Sequence, residues 1–163
     1  MTLAIDPGPV RSALVLYDAK AGLCSHYLQP NDWVLEFLRA YDAAPDDVLV
    51  IEQIASYGMA VGAEVFETCV WTGRFWQEWA RRGLAVERLT RLAVKMHLTG
   101  QPRAKDANVR QALVDRFGGP AALKKGGPLY RVAGDSWSAL AVAVTWADRP
   151  PWCRKSQALQ FSA

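Results

Sequence analysis

The chain is poor in the residues that staple or metallate small proteins. Its three cysteines, Cys24, Cys69 and Cys153, are odd in number and widely spaced, with no CxxC pair, which argues against a disulfide scaffold and against a zinc site. A reducing, intracellular compartment is therefore expected. The two histidines, His26 and His97, have no companion at ligand spacing and read as a strand-face and a helix-end residue. No apolar run approaches the length of a bilayer span, and the first residues show no basic segment followed by an apolar one, so a soluble protein with no membrane partner is expected. Repeats and low-complexity blocks are also lacking. What is present is 163 residues, 51% of them hydrophobic, enough for one domain with a sizeable core.

The net charge of +3 hides an uneven distribution. Residues 1–73 carry three Lys/Arg against ten Asp/Glu, whereas residues 74–131 carry thirteen against four. A sign change of that size within one domain suits a basic surface for polyanions, with acids gathered elsewhere. The plainer reading is that these cations solvate helix faces.

Short segments joined by turns at Pro7–Arg11 and Asp18–Gly22 read as strands over residues 2–6, 12–17 and 23–28, a meander. Asn31 or Asp32 is placed to cap a helix running to about Tyr41. A strand follows over 48–52, then a long helix from about Met59 to Arg82. On that helix Phe66, Cys69, Val70, Gly73, Trp76 and Ala80 fall on one stripe, which predicts packing on the sheet, with Gly73 at a close backbone approach. Trp71 and Trp79 lie off the stripe, as rim packing, a subunit contact or a stacking platform for a base. A fifth strand over 84–89, a short helix through Val94 to His97 and a helix over 107–117 come next. The loop 118–133, rich in Gly, Pro and Lys, reads as flexible. A last helix spans roughly 135–147, and residues 149–163 form a tail without periodicity.

Within this pattern three acids stand out. Thr2-Leu3-Ala4-Ile5 leads into Asp6, after which Pro7-Gly8 breaks the strand. Val48-Leu49-Val50-Ile51 leads into Glu52, and Asp135 opens the last apolar segment. One such aspartate alone is adequately explained as a turn residue. Two buried strands each ending in a carboxylate suggest acids presented at one edge of an open α/β sheet. Three oxygen donors without a Cys/His cluster favour a hard divalent cation, Mg²⁺ or Mn²⁺.

Ile5-Asp6-Pro7-Gly8, Val50-Ile51-Glu52-Gln53 and the Asp135…Ala139-Leu140-Ala141 helix resemble, in order and spacing, the three catalytic blocks of RuvC-type Holliday-junction resolvases of the ribonuclease H-like superfamily. Ser56-Tyr57-Gly58-Met59 and Lys105-Asp106-Ala107-Asn108-Val109-Arg110-Gln111-Ala112-Leu113 are most similar to the resolvase-like proteins of tailed bacteriophages and prophages. The resemblance implies an α/β ribonuclease H-like fold, a mixed five-stranded sheet flanked by helices, with the first and fourth strands adjacent. It assigns 1–148 to the nuclease domain and 149–163 to a C-terminal tail, and it implies the cytoplasm of a bacterial host.

By the same resemblance Asp6, Glu52 and Asp135 are catalytic metal ligands, with Asp6 bridging two Mg²⁺ ions about 4 Å apart that activate water and stabilise charge on phosphate. Mn²⁺ would substitute. Lys105 is implied as a cation near the scissile phosphate. The family's usual fourth acid, one helical turn after Asp135, is Ser138 here, and Asp106 is a candidate replacement, although it is also well placed as a helix N-cap. Arg103, Lys105, Arg110, Lys124 and Lys125 are candidate phosphate contacts, and Tyr57 a candidate wedge in the DNA. Branded in this way, the chain reads as a Mg²⁺-dependent endonuclease acting on branched DNA as a homodimer. Flap, fork or RNA–DNA hybrid cleavage, a sugar-kinase or actin-like phosphotransferase, and a non-catalytic DNA-binding module remain alternatives. The phosphotransferase needs a second domain and phosphate loop, which a chain of this length without a second Asp-x-Gly turn does not supply.

Overall fold

Successive side chains of the strands point to opposite faces of one sheet, both faces are apolar, and the helices cover both. The computed structural model describes residues 1–55, Gly58 and residues 60–150. The elements are β1 (Thr2–Asp6), β2 (Arg11–Asp18), β3 (Gly22–Pro30), α1 (Asn31–Ala40), β4 (Val48–Gln53), α2 (Ala63–Ala80), β5 (Ala85–Thr90), α3 (Arg91–Thr99), α4 (Asp106–Arg116), a 3₁₀ turn (Gly119–Leu123) and α5 (Ser136–Ala147). The five-stranded sheet has the order β3-β2-β1-β4-β5. Its first three strands form the antiparallel meander, while β1, β4 and β5 are mutually parallel. This is the mixed sheet and the β1–β4 adjacency expected of a ribonuclease H-like fold.

Leu3, Ile5, Leu14, Leu49 and Ile51 face α1 and α2. Ala4, Ala13, Val15, Val48 and Val50 face the opposite layer, built on α5. Helix α5 is buried nearly all round and lies against β1 and β2. Among the described residues no helix is long and apolar enough to cross a membrane.

Four expectations change. The α2 stripe predicted to meet the sheet packs inward only at its C-terminal end, through Trp76 and Ala80, while its earlier part is turned outward: Phe66 is 61% and Val70 57% exposed, Cys69 is exposed, and open space surrounds Gly73 where a Cβ would stand. The buried face is instead Thr68, Phe75, Glu78 and Trp79. Trp79 is therefore a core residue rather than a base-stacking one, and Trp71 packs on Phe75 beneath the Arg74 guanidinium. Burial of Glu78 on this face is made acceptable by Arg39 Nε at 2.9 Å and Arg81 Nη2 at 2.6 Å.

The loop 118–133 is not loose. It contains the 3₁₀ turn, buries Ala122, Leu129 and Val132, and crosses itself so closely at Gly127 that a Cβ there would lie 2.4 Å from the Ala122 carbonyl oxygen. His97 ends α3 as expected and pairs with Asp148 at 2.7 Å, which Arg116 also grips with both terminal nitrogens.

Asn31 does not cap α1; that position belongs to Pro30. Asn31 is 1% exposed, accepts a hydrogen bond from Ser12 Oγ at 2.6 Å and donates from Nδ2 to the Gly8 carbonyl at 3.0 Å. Gly8 N–H donates to Ser12 Oγ at 3.3 Å. A Cβ at Gly8 would stand 2.4 Å from the Arg11 carbonyl oxygen, so only glycine fits. Together these residues set the turn that leaves Asp6. Asn31→Ala would strand a buried hydroxyl and a carbonyl, and we expect a loss of about 2–3 kcal/mol in urea unfolding, with Asn31→Asp recovering only part of it.

Candidate active site at the carboxyl edge of the sheet

Side chains repeat on one face every second residue of a strand. Ala4 and Val50 lie on the α5 face, so Asp6 and Glu52, two residues on, project to that face as well. Ile5 pairs with Ile51 across the parallel β1–β4 ladder, and one further step sets the two carboxylates level at the carboxyl ends of adjacent strands. Asp135 precedes α5 on the same side. Its carboxylate makes no capping bond to the helix it opens. Asp6, Asp135, Ser138, Arg91, Arg110 and Trp137 line one cleft, into which Asp106 also opens. A neighbouring recess carries Glu52, Arg91, Lys95 and Ser138.

The environment of Asp6 is set by crowding. Burial, then the charge of Glu52 and a hydrogen bond shared with it, then the charge of Asp135, push the Asp6 carboxyl up to about 8, against a smaller opposing effect of Arg91. A proton is thus retained between two carboxyls until the solution is mildly alkaline.

Arg91 is the residue that sequence reasoning missed. Thr90 closes β5 and caps α3, accepting a hydrogen bond from Ala93 N–H at 3.2 Å, so Arg91 begins that helix beside the end of β4. Its Nη1 lies 3.0 and 3.3 Å from the Glu52 oxygens and 3.5 Å from Ser138 Oγ, while Nη2 lies 2.8 Å from Asp106. Burial opposes the Arg91 charge, but Glu52 and Asp106 outweigh it and hold its pKa above the ordinary arginine value. Burial likewise opposes ionisation of Asp106, and Arg91 and Lys95 outweigh it, holding that carboxyl below the usual range. The available signal was β4–β5 pairing, which puts any cation just after β5 next to Glu52.

Lys105, not Asp106, is the N-cap residue of α4, its backbone N–H donating to Asn108 Oδ1 at 3.0 Å. Asp106 is turned onto Arg91 and onto Lys95, 3.5 Å away. Arg110 reaches the cleft, its guanidinium 5.0 Å above the Trp137 ring. Arg103, Lys105, Lys124 and Lys125 are exposed and do not line the cleft. Tyr57 lies outside the described residues.

Among the described residues no three Asp, Glu, His or Cys side chains are already gathered as a cation cage. The donor chemistry nonetheless fits a hard divalent ion. The donors are all oxygens, and the confronted pair Asp6–Glu52 retains a proton where a metal cation would relieve the same repulsion.

The raised Asp6 pKa has a stability consequence. Between about pH 4 and pH 8 the folded, metal-free chain keeps a proton that the unfolded chain releases, so stability should fall as pH rises through this window. Asp6→Asn removes the titrating group. Its melting temperature in EDTA should exceed that of the parent by several degrees at pH 8.5, roughly 2–3 kcal/mol, and the difference should shrink toward pH 5. A pH-independent difference would contradict the assignment.

No protein-family model and no curated protein sequence matches the chain. Solved structures do. The Thermus thermophilus RuvC structure superposes with a TM-score of 0.65 at 20% identity, covering 90% of this chain and 92% of that one. T. thermophilus RuvC in complex with a Holliday junction substrate gives 0.63 at 18% identity, again covering 90% and 92%. The chain has the fold of these RuvC structures, the ribonuclease H-like fold.

Proposed function

We propose that this protein is a divalent-metal-dependent endonuclease that hydrolyses phosphodiesters in branched DNA, with the Holliday junction as its substrate. The observation carrying the reading is the level placement of Asp6 and Glu52 on adjacent parallel strands, with Asp135 lining the same cleft. The likeness to a RuvC structure holding a Holliday junction supports the choice of substrate. Asp6, Glu52 and Asp135 would hold Mg²⁺, or Mn²⁺ in its place. Bound there, the metal supplies a water of lowered pKa and charge stabilisation at the attacking and leaving oxygens.

The protein's own residues do the rest. Glu52 and Asp106 hold the two terminal nitrogens of Arg91, Lys95 backs Asp106, and the guanidinium charge lines the cleft where phosphate would lie. Arg110, steadied over Trp137, adds a second grip at the cleft. Arg103, Lys105, Lys124 and Lys125 extend a basic surface that holds backbone without reading bases. Engagement of Asp106 with two cations favours an orienting role over metal ligation. The nuclease domain of the proposal is 1–148, followed by the tail 149–163, and the host cytoplasm is the expected compartment.

The outward stripe of α2, Phe66 and Val70 with exposed Cys69 and Gly73, supports a homodimer, because no segment of the described chain covers it. A two-fold dimer would present two sites to the paired strands of a junction.

Cleavage of a four-way junction, compared with flap, fork, linear duplex and RNA–DNA hybrid, tests the reading. Paired nicks on the junction are expected with Mg²⁺ and not with EDTA. Glu52→Gln should lower the rate by about 10³-fold while junction binding persists. Cutting of flaps, forks or hybrids instead would reassign the substrate, and binding without cutting would make this a DNA-binding module. Val70→Glu should convert a dimer to a monomer in light scattering without lowering the melting temperature by more than a few degrees.

A further inference from the structure

Arg91 is pinned from several directions at the mouth of the site. Both Glu52 oxygens face its Nη1, at 3.0 and 3.3 Å; Asp106 holds Nη2 at 2.8 Å; and Ser138 Oγ stands 3.5 Å from Nη1. Lys95, one turn along α3, backs the arrangement at 3.5 Å from Asp106. A guanidinium remains charged at any pH the folded protein meets and is shaped for carboxylate, so this cation is a permanent part of the site.

Charge and donors then point the same way. With all of them ionised, Asp6, Glu52, Asp106 and Asp135 bring four negative charges to the paired recesses, and Arg91, Lys95 and Arg110 return three positive ones. One divalent cation already exceeds the single negative charge that remains, and a second would leave the recesses strongly positive. Ser138, one helical turn beyond Asp135 and lining the same cleft, offers a neutral hydroxyl where a second ion would need an anion. Glu52, already facing a cation with both oxygens, has little to give a second ion either.

We infer that Arg91 takes the place of one of two catalytic cations, so that the site binds a single divalent ion, held by Asp6 and Asp135 with Glu52 shared between that ion and the guanidinium. The inference rests on the metal-dependent nuclease reading and narrows it.

Titration of the full-length, DNA-free protein with Mn²⁺, followed by calorimetry and by the EPR signal of free Mn²⁺, reads the count directly. One ion per chain is expected. Arg91→Gln should tighten that ion roughly tenfold by releasing Glu52. Arg91→Gln combined with Ser138→Asp should bind two. Ser138→Asp with Arg91→Lys, a milder change that keeps the charge, should stay at one.

Two ions in the parent protein would overturn the inference and leave the nuclease reading standing. The inference also falls if the Gln/Asp double variant stays at one ion, if the Lys/Asp variant takes two, or if Arg91→Gln weakens the first ion. No binding in any variant would remove the metal-dependent reading itself, and the inference with it.

Discussion

Two carboxyl groups held face to face at the ends of neighbouring parallel strands are a constraint that no packing preference would choose. Asp6 and Glu52 repel when both are ionised, and the burial around Asp6 magnifies the effect, which is why its proton persists to about pH 8. Much of the surrounding structure is arranged to hold this conflict in place. The Ser12–Asn31 pair fixes the turn that leaves Asp6. Packing of α5 against β1 and β2 brings Asp135 to the same cleft. Arg91 answers half of the pair by engaging Glu52.

The site is thereby built on rigid elements rather than on loops. β1 and β4 belong to the centre of the sheet, and both of their faces are covered. Displacing either carboxylate would require a strand to shift against two neighbours. Such rigidity suits a site whose proposed work is electrostatic, because preorganised charge need not reorganise during reaction. The cations are arranged with different freedom: Arg91 is tethered by two carboxylates, Arg110 rests on an aromatic ring, and the more distant lysines are left to solvent.

The five strands and the three marked acids could be read along the chain, since a short apolar run bounded by turn residues and a charge ending such a run are local signals. Helix α2 shows where such signals stop. It carries apolar residues on two stripes, one of Phe66, Cys69 and Val70, the other of Phe75 and Trp79. Periodicity reports that a face exists, not which partner it meets. The sheet took the stripe containing the larger rings, together with a glutamate that looks wrongly placed until Arg39 and Arg81 arrive from either side. The glycine-rich stretch after α4 misleads for a related reason. Glycine at Gly127 serves a close crossing rather than freedom of motion, and closeness is invisible without the segment it approaches.

The sequence by itself determined the element order, the strand ends that carry Asp6 and Glu52, and the start of α5 at Asp135, because each depends on residues within one short segment. Tertiary structure alone decided that Arg91 stands against Glu52, that Asp106 turns onto that arginine instead of capping its helix, and that Asn31 closes the first turn. Those pairings span 15 to 39 residues of chain, the longest being the 39 that separate Arg91 from Glu52. They arise only when parallel pairing of β4 with β5 and the crossover helices bring distant segments to one edge. Side-chain charge is written locally; its neighbours are chosen by the topology of the sheet.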